Sequence, residues 1–215
     1  MIAEGRRITR YTFHERLVHA VTAISYVYLF LTGLAFWTPG LYWIAVMLGG
    51  GYLSRVMHPW AGLLFTGAVT WMFVTWRHDM RTTPEDRSWR RAIRHYIRNE
   101  DDRVPPAWRF NYGQKQMFWL MVFGGAALLL SGLVLWFTGS VPWELRYARY
   151  AAILVHAVAA LVTIGVFIIH LYMGLAVVPG GLNAIIHGKV TEDWARSHHP
   201  LWYAQTTSHG GRREE

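Results

Sequence analysis

Two histidines, His156 and His170, interrupt an otherwise apolar stretch from Tyr150 to Val178 that holds no Asp, Glu, Lys or Arg. At about 1.5 Å per residue this stretch is long enough to cross a ~30 Å hydrocarbon layer with tilt to spare. The two imidazoles lie ~21 Å apart along a helix axis and only ~40° apart around it. A lone histidine in a membrane helix is often a buried hydrogen-bonding residue. A pair stacked at opposite depths is costly to bury and marks a functional interior. The chemistry that this spacing points to is axial ligation of two haems, one per leaflet.

Composition narrows the choice. The 215 residues include no cysteine, so a disulfide, a cysteine-ligated iron–sulfur cluster, a covalently attached haem and a thiol nucleophile are all excluded. Hydrophobic residues make up 53% of the chain, in runs too long and too free of charge for a soluble core. The spacing predicts four membrane helices, at about 17–37, 56–76, 116–138 and 150–178. A polar loop (77–115) and a polar tail (179–215) complete a single transmembrane domain over 1–215. Leu41–Leu48 is too short to span and reads as an interfacial or re-entrant segment, and Gly49-Gly50-Gly51 ends it. Within the loop, Trp89–Arg98 is expected to form a short amphipathic helix on the lipid headgroups.

Of the 21 Lys and Arg residues, 18 fall in the terminal segments and the 77–115 loop; the other connections hold Arg55, Arg146 and Arg149. The positive-inside rule then places both termini and the long loop in the cytoplasm. The net charge of +8 is thereby a topology signal, and nucleic-acid binding is not indicated.

This topology gives each histidine a depth. His58, opening the second span, and His156 lie at the outer level; His19, early in the first span, and His170 lie at the inner level. Each level has two imidazoles on different helices, as bis-histidine ligation of a haem requires. His14, ~140° from His19, is the weaker inner candidate, and His78 falls at a helix end. His95, His187, His198, His199 and His209 sit in polar segments, where solvated histidines are the default. Gly33, Gly62, Gly124, Gly125, Gly132, Gly165 and Gly174 permit room for a flat cofactor, although small residues also serve ordinary helix contacts.

The chain resembles the cytochrome b (gamma) subunits of membrane-bound respiratory formate dehydrogenases, a family related to the cytochrome b subunits of nickel–iron hydrogenases. The resemblance rests on Glu15-Arg16-Leu17-Val18-His19, Arg55-Val56-Met57-His58-Pro59, Phe110 to Lys115 (FNYGQK), Leu154-Val155-His156-Ala157, Ile169 to Met173 and the tail from His198 to Tyr203 (HHPLWY). It implies an all-α integral membrane four-helix bundle with two b haems stacked across the bilayer, ligated by His58/His156 and His19/His170. It also implies a menaquinone or ubiquinone site at Asn111, Gly113, Gln114 and His170. Carboxamides there can hydrogen-bond quinone carbonyls, although an Asn in that position also caps helices. The implied partners are the iron–sulfur (beta) subunit and the catalytic molybdenum or tungsten (alpha) subunit, with formate oxidised in the latter. The implied location is the bacterial inner membrane. A hydrogenase cytochrome b, a haem-free membrane anchor and, more weakly, a histidine-relay transporter are the rival readings.

Overall fold

A computed structural model describes residues 6–98, 100 and 103–210. The polar ends expected at 1–5 and 211–215 lie outside the described residues.

The chain is mostly helical. Helix α1 (Phe13–Trp37) is followed by a 3-10 turn and the short α2 (Tyr42–Met47). Then come α3 (Gly51–Trp76), α4 (Pro84–Arg91), α5 (Ile93–Ile97), α6 (Tyr112–Trp136) and α7 (Arg146–Tyr172). A π-helical segment (Met173–Val177) precedes α8 (Gly181–His187), α9 (Glu192–His198) and α10 (Pro200–Gly210).

Among the described residues, three stretches are long and apolar enough to cross a membrane: Phe13–Trp37, Tyr112–Trp136 and Trp143–Val177. Their surfaces expose large apolar side chains that water would penalise, such as Ile24 (73%), Phe123 (67%) and Leu154 (65%). Inside lie small and hydroxyl residues: Ser25, Thr32, Ser131 and Thr163 are buried, and each donates its hydroxyl proton to a carbonyl in the preceding turn of its own helix. This is the composition of helices that pack closely in lipid, where apolar burial gives no net drive.

Helix α3 is as long as these but less apolar, because Arg55, His58, three tryptophans and three threonines dilute it. It begins at Gly51 rather than near Val56. Gly49 and Gly50 hold φ of +97° and +102°, a left-handed turn that side chains resist, and the helix starts directly after them. Pro59 is therefore an interior proline and not a first-turn one. It has no N–H for the Arg55 carbonyl one turn earlier.

Other departures have local causes. The expected amphipathic helix at 89–98 is divided at Ala92 into α4 and α5, and Trp89 is buried rather than laid on a surface. The all-α expectation needs one amendment. Arg7–Thr9 and Lys189–Thr191 pair as antiparallel strands, with Ile8 opposite Val190. Three-residue strands so distant in sequence leave no periodicity to read. The ribbon depends on Gly188, at φ +75°, whose carbonyl accepts from the backbone N–H of Arg10 and Tyr11. A Cβ on Gly188 would press into the Tyr11 carbonyl at 2.6 Å.

Two compact units divide the described chain: residues of 17–75 and 119–168 form one, and residues of 1–16, 76–118 and 169–215 the other. The first, here the helical unit, contains the apolar bodies of α1, α3, α6 and α7. The second, the polar unit, contains the ribbon, the long loop and the tail.

Candidate functional site

In the helical unit, four helices meet around one cavity. Tyr26 of α1 packs against Phe65 of α3 and Phe167 of α7, and Trp60 of α3 meets Trp136 of α6 edge-on. Between them is a cavity of about 730 Å³, within the range that holds small ligands and cofactors. Its lining is apolar apart from a few groups, among them His58, His156 and Arg55.

His58 and His156 face one another with ring centroids 6.4 Å apart and planes at 56°. Two metal–imidazole bonds of about 2.0–2.1 Å, plus just over ~1 Å from each bonding nitrogen to its ring centre, put centroids roughly 6.3 Å apart around a shared metal. The separation therefore suits one six-coordinate ion between the rings. Among the described residues no group of three or more His, Cys, Asp or Glu side chains could hold a bare metal. A pair suffices for a porphyrin iron, whose remaining ligands belong to the macrocycle.

The tautomers fit as well. Thr32 Oγ1 lies 2.7 Å from His58 Nδ1, and Ser131 Oγ lies 2.9 Å from His156 Nδ1. Each hydroxyl already donates its one proton to a backbone carbonyl, Tyr28 for Thr32 and Ala127 for Ser131. Toward the imidazole it can only accept, so each Nδ1 carries a proton and each Nε2 keeps the lone pair that a metal needs. Glycines leave the space. Gly33 and Gly62 line the cavity with nothing within 4 Å of where a Cβ would stand, while a Cβ at Gly132 would sit 3.3 Å from His156 Cε1.

His19 is half-buried on α1 in the helical unit, and His170 is half-buried near the end of α7 in the polar unit. The π-helical segment opens three residues after His170, with Val178 N–H donating to the Met173 carbonyl at 2.9 Å. Such segments are frequent at functional positions, and nothing in the sequence marked it.

Asn111, Gly113 and Gln114 start α6 in the polar unit. Asn111 Oδ1 accepts from the Gln114 backbone N–H, and Gln114 Oε1 accepts from the Asn111 backbone N–H, both at 3.0 Å. This reciprocal pair caps α6. Asn111 Nδ2 donates to Tyr96 Oη at 3.3 Å. Beside Asn111 is a cavity of about 30 Å³, enough for a water. Capping is thus an observed role of both carboxamides.

The tail motif also gains a role that sequence reasoning missed. Arg10 is 2% exposed, donates to the Arg109 carbonyl, and lies 4.4 Å from the Trp202 ring centre. His199, also 2% exposed, stands 3.2 Å from Arg10 and 2.7 Å from the Trp108 carbonyl. Burial, with the Arg10 charge adding to it, holds the His199 pKa well below the usual histidine range. Burial also lowers the Arg10 pKa. Arg109 bridges Glu15 at 2.6 Å and Asp79 at 3.0 Å. Burial opposes its charge, but Glu15 and Asp79 outweigh that and raise its pKa. Glu15 closes the α1 cap with Thr12 and accepts from Trp76 Nε1 at 2.6 Å. No local signal could have joined these residues, because every contact among Arg10, Arg109 and His199 spans 90 or more positions.

Comparison with known proteins gives the family of the chain. Residues 10–188 match the family model described as prokaryotic cytochrome b561. The formate dehydrogenase cytochrome b556(fdo) subunit of Escherichia coli K12 is 34% identical over 200 residues, 92% of each chain. The nitrate-inducible formate dehydrogenase cytochrome b556(Fdn) subunit of the same strain is 30% identical over 216 residues, covering 99% of this chain and 98% of the relative. The formate dehydrogenase cytochrome b556 subunit of Haemophilus influenzae is 28% identical over 207 residues. A chain with facing imidazoles inside apolar helices, matched end to end by such relatives, belongs to the prokaryotic cytochrome b561 family and groups there with the cytochrome b556 subunits of formate dehydrogenases.

Proposed function

We propose that this chain is the di-haem b membrane subunit of a formate dehydrogenase, passing electrons from an iron–sulfur subunit outside to a quinone on the cytoplasmic side. Haem b, when bound, supplies a one-electron carrier. His58 and His156 would hold the outer group through their Nε2 atoms. Arg55, the one cation among the described residues lining that cavity, would meet its carboxylates. For the inner group the sequence offers His19 and His170. The family membership and the outer pair support this inner assignment by analogy of depth.

The proposed architecture is a four-helix membrane bundle in which α3 is the fourth span and both termini are cytoplasmic. The concentration of Lys and Arg in the 77–115 loop and the terminal segments supports that orientation. The Asn111–Gln114 turn, with His170, would form the quinone site, its carboxamides offering donors to quinone carbonyls. Carrying negative charge inward against a negative-inside potential costs about 2.3 kcal/mol per charge per 100 mV, so flow in this direction conserves redox energy as membrane potential. Formate oxidation would belong to a molybdenum or tungsten subunit.

The observation that carries the proposal is the 6.4 Å separation of the His58 and His156 rings across the cavity. A pyridine haemochrome assay on the purified protein tests it. Two b haems per chain are expected, and one in His156→Ala. One haem in the unaltered protein, or none lost in the variant, overturns the ligand scheme.

A further inference from the structure

We propose that Thr32 and Ser131 are positioning residues that set the ring orientation and the reduction potential of the outer haem, through the Nδ1 atoms of His58 and His156. The inference rests on the haem reading above and goes beyond it, since it concerns residues on the two helices, α1 and α6, that supply no ligand to this site.

The two contacts share one design. Thr32 is fully buried and Ser131 is 6% exposed. Each hydroxyl donates back along its own helix, to Tyr28 O at 2.8 Å and to Ala127 O at 2.6 Å, and accepts from the facing imidazole at 2.7 and 2.9 Å. A hydroxyl tied to its own helix at i−4 has little freedom to turn, so the acceptor lone pair stands at a set place. Each ring is thereby held through its Nδ1, with its Nε2 left free, and the two ring planes stand at 56°.

The chemical consequence concerns electron donation. A ligating imidazole becomes a stronger donor as its Nδ1–H is pulled toward an acceptor. A carboxylate acceptor pulls hard and favours ferric iron; a neutral hydroxyl that is already donating elsewhere pulls gently. Two such hydroxyls keep both imidazoles neutral and hold the outer haem at a higher potential than carboxylate partners would. They do so without placing a charge in an apolar cavity, where an uncompensated carboxylate would be costly.

The test uses the purified complex and four variants, Thr32→Val, Thr32→Ser, Ser131→Ala and His58→Ala. Redox titration of the haem bands and electron paramagnetic resonance of the ferric haem are the readouts, the latter reporting the angle between the imidazole planes. Thr32→Val and Ser131→Ala are expected to raise the outer midpoint and move its largest g value, with the inner haem unmoved; Thr32→Ser is expected to restore both. Loss of the outer haem from Thr32→Val with retention in Thr32→Ser also supports the assignment, since outer-shell partners typically carry about 10–100-fold in affinity. Unchanged midpoint and g value in Thr32→Val and Ser131→Ala overturn it. Retention of both haems in His58→Ala instead overturns the underlying ligand scheme, so the two failures are distinct.

Discussion

Arg10 Nη2 donates to His199 Nε2 at 3.2 Å, while His199 Nδ1 donates to the Trp108 carbonyl at 2.7 Å. Arginine cannot accept and a carbonyl cannot donate, so this buried imidazole is neutral by construction. Its neighbours are Arg10, His198 and the rings of Trp194 and Trp202. With the folded pKa below the unfolded value of about 6.5, the unfolded chain binds the extra proton in the window between them. Stability from this group is therefore complete above about pH 7 and falls as pH drops below about 6.5. Thermal unfolding in detergent from pH 8 to 5 is expected to show that fall, with a shallower slope in His199→Gln. Equal slopes in the two proteins would rule the group out.

Lys115, in the FNYGQK motif, lies at the bottom of an ion pair, not at a ligand. Its Nζ is 2.7 Å from Asp86 Oδ2 and 2.9 Å from the Arg81 carbonyl, and both side chains are buried. Removing one partner strands the other charge, at a cost of about 3–5 kcal/mol. Lys115→Met is expected to destabilise by that amount in chemical denaturation, and Lys115→Met with Asp86→Asn to recover part of it. Full additivity of the two changes would mean that the pair does not couple.

Much of this was legible in the sequence and some was not, for physical reasons. Apolar runs are local and marked the long helices, and the Lys and Arg bias that orients them put His58 and His156 at one level, where the structure sets their rings 6.4 Å apart. Helix α3 was misplaced at its start because two left-handed glycines, not the apolar pattern, decide where it begins. The hydroxyl partners were invisible because Thr32 and Ser131 look like ordinary small residues in apolar helices until the facing rings are placed. The Arg10–His199 contact and the strand ribbon join distant segments and leave no local trace. The capping of α6 by Asn111 and Gln114 was anticipated as one use of those residues.

That double use can be separated. Serine caps a helix nearly as well as asparagine but has no carboxamide. In Asn111→Ser, α6 should keep its stability, and reoxidation of the haems by quinone should slow while reduction by the dehydrogenase partner is unchanged. Normal reoxidation in a stable Asn111→Ser protein would leave the residue with capping alone.

Arg55 lies three residues before His58 and lines the same cavity. A positive charge near a redox centre favours its reduced form. Arg55→Gln should therefore lower the outer midpoint, in the direction opposite to Thr32→Val, and the inner midpoint should stay in place. Redox titration reads both. An unmoved outer midpoint would mean that the guanidinium does not reach the cofactor.

Gly132 tests the cavity wall directly. A methyl group there would stand 3.3 Å from His156 Cε1 and 3.7 Å from its Nδ1, so the ring must yield by a few tenths of an ångström. Yielding would disturb both the Ser131 contact and the approach of Nε2 to the cavity. Gly67, an exposed α3 glycine, has nothing within 4 Å of the same position. Gly67→Ala should gain helix propensity, up to about 1 kcal/mol, and keep both haems. Gly132→Ala gains the same propensity yet should lose part of its outer haem during purification, read as haem per chain. Equal haem content in the two variants would show that the His156 ring is free to move without consequence for the cofactor.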